Sequence, residues 1–181
     1  MKSYTFIIFI AMLLIIGCGG TGEFEYESES EANEKFFGIQ GTVVKIEGEG
    51  VLVTSTDRLI SEEDESNTRY DAAWLSGIRD QVEIGQRIEV AFDGGVNLSY
   101  PVQAMGTSVR LLEDEAPKGA ELTRAQAVRK VLEMPDVAQM RVPSVLEVIY
   151  NEEDRNWSVQ LVDNTAIGYT VLTVNIEDRT L

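Results

Sequence analysis

The sequence predicts a mainly β chain in two folded parts. The first is a small five-stranded β-barrel, and the second an α+β unit of one helix and an antiparallel sheet. Three observations carry this reading. Short apolar runs, bounded by glycine-rich or acidic turns, recur through residues 36–113. One of them, Ile88-x-Val90-x-Phe92, alternates with a clean period of two. A helix-opening pattern, Thr123-x-x-Gln126, then precedes three further strand-like runs.

Ile39–Ile46 reads as the first strand and Val51–Val53 as the second, and Glu47-Gly48-Glu49-Gly50 supplies the glycines a hairpin needs. Asp57–Arg69 is acidic and polar and predicts a long excursion. The third strand covers about Tyr70–Leu75, and the fourth is expected to end at Asp93-Gly94-Gly95. The fifth covers Met105–Leu112, with Thr107, Val109 and Leu111 on one face. Five short strands with an irregular insertion between the third and fourth predict an OB-like barrel. No function follows from that fold.

Residues 114–120 read as a linker. The capping box opens a helix over Arg124–Met134, with Ala125, Val128, Val131 and Leu132 on one face and Pro135 after its end. Val145–Tyr150, Trp157–Val162 and Ile167–Ile176 read as strands, with turns at Asn151–Asn156 and Asp163-Asn164. A helix followed by a meander predicts a small helix-plus-antiparallel-sheet domain over 121–181. Each part is small, so the two are expected to pack together or lean on a partner.

Before the barrel, Lys2 is followed by an apolar run from Tyr4 to Ile16. This is short for a bilayer span, which takes about 20 residues, and fits a cleaved signal peptide over 1–17. Ile15-Ile16-Gly17-Cys18 resembles the lipobox of bacterial lipoproteins. The resemblance implies a diacylglyceryl group on Cys18 and a place on the extracytoplasmic face of the cell membrane. Two acyl chains anchor stably where one holds only marginally. Residues 18–35 are rich in glutamate and poor in apolar groups, which predicts a disordered tether.

The net charge of −16 argues against nucleic acid as a partner, because that needs a basic face. The 181 residues contain no histidine, which removes Ser-His-Asp and Cys-His mechanisms and imidazole-bound zinc. Cys18 is the single cysteine, so no intrachain disulfide forms. Gly17-x-Gly19-x-x-Gly22 formally matches a dinucleotide fingerprint, but no strand precedes it and no helix follows. Ser76-Gly77 lacks the Gly-x-Ser-x-Gly elbow. Glu62-Glu63-Asp64-Glu65 is acidic without the EF-hand pattern and is expected to face water. No cofactor and no metal site is expected.

Gly41-x-Val43, Val51-Leu52-Val53, Asp71-Ala72-x-Trp74-x-Ser76, Ile84-Gly85 and Ser99-Tyr100-Pro101-x-Gln103-Ala104 together resemble the YobA-type domain. That family has no known function and occurs in secreted or lipid-anchored bacterial proteins. The likeness covers Gly38–Leu112. The order of elements after Leu122-Thr123, with Ala127 in the helix, is similar to the PepSY domain. That layout implies a role in restraining peptidases or in the envelope.

Tyr100 and Gln103 are the foremost candidates for a binding surface. Pro101 holds Tyr100 extended and cannot donate to a sheet, so both side chains are fixed at a strand entrance. They either line a small groove, or serve the fold, with Tyr100 capping the barrel and Gln103 satisfying buried backbone. Asp71 and Trp74 carry the same two readings, ligand platform or core, and Trp157 reads as sheet core. The expected function is a non-catalytic binding or regulatory module that meets another envelope protein or peptide. The alternatives are a carboxylate-based hydrolase or ligand-delivery protein acting on an envelope substrate, and an acidic cation-binding surface protein.

Overall fold

The computed structural model describes residues 36–59, 69–112, 114–166 and 170–180. Cys18, the signal peptide, the tether and Glu62–Glu65 lie outside the described residues. Five strands, β1 (Gly38–Glu47), β2 (Gly50–Leu59), β3 (Arg69–Ser76), β4 (Arg87–Asn97) and β5 (Val102–Leu111), close a barrel in the order β1-β2-β3-β5-β4. All neighbours are antiparallel except β3 and β5. A single 3-10 turn, Arg79–Gln81, lies between β3 and β4. This is the OB-like barrel the strand count predicts.

The helix α1 (Arg124–Leu132) carries the predicted capping box, in which Thr123 and Gln126 bond each other's backbone. It is followed by the short α2 (Pro135–Ala138), so Pro135 opens a second helix as well as following the first. The strands β6 (Pro143–Asn151), β7 (Asn156–Asp163) and β8 (Leu172–Glu177) form an antiparallel sheet in that order. Among the described residues, no helix is long and apolar enough to cross a membrane.

Alternation along the barrel strands gives two cores. Val43, Val51, Val53, Ala73, Leu75, Ile88 and Val90 fill the barrel interior. Leu52 and Ala72, on the other face of β2 and β3, join a second core with Leu122, Val128, Val131, Trp157, Val159 and Leu161. Val44, opposite in facing to Val43, joins that second core, and the register shift between Val43 and Lys45 then brings Ile46 back onto the barrel core. The barrel and the α+β part thus share one hydrophobic core, as their small sizes require.

Several strand limits differ from the sequence reading, and in β4 and β5 irregularities of the ladder are the reason. β4 runs through Asp93-Gly94-Gly95 to Asn97, because the glycines make an irregularity within the ladder, with Gly94 at φ 64°, and do not stop it. A shift opposite Ala91/Phe92 breaks the alternation of β5. Thr107 and Leu111 are exposed, and Val109 alone of the predicted trio packs on the barrel core. β5 also begins three residues before the predicted Met105, which puts Gln103 inside it. β2 extends to Leu59, and β8 starts at Leu172, with 167–169 outside the described residues.

Gly85 sets the approach of α1 to the barrel. Its φ is 94°, its N–H donates to Val43 O at 2.8 Å, and an added Cβ would lie 2.1 Å from Ala125 O. Gly85→Ala is expected to cost more than the roughly 1–3 kcal/mol of a strained backbone alone, since α1 must also move. Thermal unfolding of the variant checks this. A shift below 2 °C would mean the helix sits further from the barrel than it does here.

Candidate functional site

The four residues singled out from the sequence gather around the β3–β5 junction. Trp74 and Gln103 are direct partners in the parallel ladder. Trp74 is half-buried on the outer face and packs on the shared core, as does Tyr100. The Tyr100 hydroxyl donates to Tyr70 O at 2.8 Å, and the Arg69 guanidinium lies 5.1 Å from the Tyr100 ring centre. Burial pushes the Tyr100 hydroxyl well above its ordinary value, against the pull of Arg69. Tyr100 therefore holds the end of the barrel to β3. Gln103 is exposed, and its amide reaches Ser99 Oγ at 3.4 Å, so it does not serve buried backbone through that bond. Asp71 accepts from its neighbour's N–H, Ala72 N, at 2.9 Å. Burial raises its pKa, and the charge of Asp57 raises it further. These residues make a structural junction more than a pocket.

A cleft opens elsewhere, along the seam where β1 and β2 face β6 and the start of α1. Its volume is about 420 Å3, within the range of about 300–1,000 Å3 typical of small-ligand sites. Arg87, Thr42 and Thr54 are consecutive cross-strand partners on β4, β1 and β2, and together they form one row of its floor. Thr54 Oγ1 donates to Pro143 O at 3.0 Å and pins the start of β6 to the barrel. Beyond that bond, residues 145–148 of β6 form one wall. Ser55, Thr56 and Asp57 form another, where β2 and β3 lose register between Thr54 and Arg58.

Arg124 reaches into this cleft from the first turn of α1. Its Nη2 donates to Thr42 Oγ1 at 3.4 Å. Its Nη1 is buried and, among the described residues, has no hydrogen-bond partner. Burial lowers its pKa to about 10, the charge of Arg87 lowers it too, and Asp114 opposes both. Asp114 is already engaged. Its carboxylate accepts from the Thr123 hydroxyl at 2.7 Å and from Ala125 N at 2.8 Å, which makes residue 114 part of the helix start and not only linker.

Sequence reasoning treated Arg124 only as a helix opener and gave Arg87 no role. One signal was present. A base at a helix N-terminus with no acid in the first turn opposes the helix dipole. Among the described residues no group of three or more histidine, cysteine or acidic side chains stands ready to hold a metal.

Residues 40–113 match a family model described as a protein of unknown function, DUF3221. The DUF3221 match spans the barrel strands and stops before α1, so it covers the floor of the cleft but neither Arg124 nor β6. No curated protein and no solved structure matches the chain.

Proposed function

We propose that the protein is a non-catalytic binding or regulatory module, held at the extracytoplasmic face of the cell membrane by a lipid on Cys18, that receives a peptide segment of an envelope protein. The observation that supports this best is the cleft. It is walled by both folded parts and lined by hydroxyls, two arginines and residues of the β6 strand. The finer likenesses, YobA-type for the barrel and PepSY-like for the helix and sheet, belong to this reading and agree with an envelope role.

A photo-crosslinking amino acid at position 56, in the cleft, and in a second strain at position 103, on the β3–β5 junction, tests it in intact cells. The position-56 strain is expected to trap an envelope polypeptide, and the Cys18→Ala version is expected to leave the membrane fraction. Trapping from 103 alone would move the site to the Tyr100/Gln103 surface. No adduct from either would end the binding-module reading.

The hydrolase alternative draws on one observation. Burial raises the Asp71 pKa, and the charge of Asp57, a residue that also lines the cleft, raises it further. Cleavage of wall peptides or glycans by the purified protein, lost in Asp71→Asn, would put that alternative first.

A further inference from the structure

The geometry points to the free carboxylate of a peptide C-terminus as the ligand of the cleft, held by Arg124 while the peptide runs extended along the open edge of β6. This rests on the binding-module reading and names its ligand class.

Arg124 is placed where several effects oppose a positive charge. Its Nη1 is buried while the side chain as a whole is half-buried, it stands at the positive end of α1, and Arg87 is close enough for the two cations to repel. The nearest compensating carboxylate, Asp114, is committed to the helix start. Local rules broken together at one residue mark a place kept for function. An oxyanion seated in the cleft against the Arg124 guanidinium offsets the Arg87–Arg124 repulsion, with the hydroxyl residues Thr42 and Ser55 lining the same cleft.

The charge around the cleft selects a monoanion. Asp57 and Glu147 also line it, and the chain carries −16 overall. A doubly charged phosphate meets two carboxylates there, whereas a planar carboxylate presents one charge in the shape a guanidinium binds best.

The strand edge selects a peptide. β6 ends the sheet order β6-β7-β8, so one side of it has no strand partner among the described strands. Residues 145–148 present that strand to the cleft just past the Thr54–Pro143 bond. Unpaired backbone N–H and C=O groups are a template for one more strand. Strand addition supplies main-chain hydrogen bonds, and a basic anchor at its end reads the terminus. Leu146, half-buried between the core residue Val145 and Glu147, adds apolar surface to this wall.

The test is an NMR titration of the 15N-labelled full-length chain in detergent micelles. The probes are N-acetyl alanyl-valyl-valine as the free acid, the same peptide as its C-terminal amide, and inorganic phosphate. The free acid is expected to shift the Arg124 Nε–H and the backbone amides of 145–148, and the amide to bind at least tenfold more weakly. Arg124→Gln should abolish the selectivity for the acid. Arg87→Gln, an exposed residue whose loss spares the fold, should weaken acid binding several-fold. Equal binding of acid and amide by the unaltered chain overturns the assignment. So does the absence of shifts with either peptide, or displacement of the acid by an equal concentration of phosphate. Acid and amide binding alike while position 56 still traps a polypeptide would remove the carboxylate and leave the module. Acid-selective binding without any cellular adduct would remove the envelope partner and leave the carboxylate site.

Discussion

Asp178→Ala is expected to destabilise the protein by about 3–5 kcal/mol, which for a chain of this size lowers the melting temperature by roughly 10 °C. Asp178 is 5% exposed and sits just after β8. One carboxylate oxygen accepts from Leu122 N and from Trp157 Nε1, each at 3.0 Å, and the other accepts from Glu121 N at 2.8 Å. The side chain therefore ties the end of the last strand to the approach of α1 and to the largest buried ring of the sheet. Alanine leaves these three donors without an acceptor, and the two buried ones, Leu122 N and Trp157 Nε1, cost about 1–3 kcal/mol each. Asp178→Asn should fall between, because its amide oxygen still accepts while its NH2 group faces a donor. Urea unfolding of the three proteins measures this. A loss below 1 kcal/mol in the alanine variant would show that the carboxylate is not a clamp.

The same carboxylate gives an acid signature. Burial raises the Asp178 pKa, but the bonds from Glu121, Leu122 and Trp157 outweigh it and hold the group below its ordinary value of 3.8. A depressed carboxylate stabilises the fold above the unfolded-state value, and that contribution is lost as pH falls through the folded-state value. Asp163 is lowered likewise: burial opposes, while the N–H and hydroxyl of Thr165 and the N–H groups of Arg141 and Val142 prevail. The acid limb of the stability curve below pH 3.8 should be shallower in Asp178→Asn than in the unaltered chain, and shallower still when Asp163→Asn is added.

Elements set by neighbours in sequence were legible, and those set by distant contacts were not. The helix start was readable because Thr123 and Gln126 bond within one turn. The barrel was readable because period-two runs report which face is buried. Gly94 and Gly95 misled at the end of β4, since a glycine pair reads as a stop and a bulge needs the partner strand to be seen. The cleft was out of reach for the same reason. Its lining comes from five separate stretches of chain, joined only by barrel closure and by the docking of β6. Tyr100 was placed correctly at a strand entrance through Pro101, yet its hydroxyl partner lies 30 residues away. Asp178 gave no signal in the sequence, because its three donors lie 21 to 57 residues upstream.

Leu52→Ala is expected to cost about 2–5 kcal/mol and to weaken both folded parts together. Leu52 is fully buried, yet it belongs to the barrel's outer face, in the core shared with α1 and the β6–β8 sheet. A leucine inside the barrel would test only the barrel, whereas this one fills space that both parts depend on. The two tryptophans make the distinction measurable. Trp74 reports the barrel and Trp157 the sheet, so Trp74→Phe and Trp157→Phe each leave a single reporter. In a cooperative unit both reporters show one transition at the same midpoint, and Leu52→Ala moves both by the same amount. A shift confined to the Trp74 reporter would mean that the barrel melts alone and that the shared core contributes little. The seam cleft would then open at a cost well below global unfolding. Its walls meet only while the two parts stay docked, so the affinity of the cleft for any ligand is bound to the energy that Leu52 helps to supply.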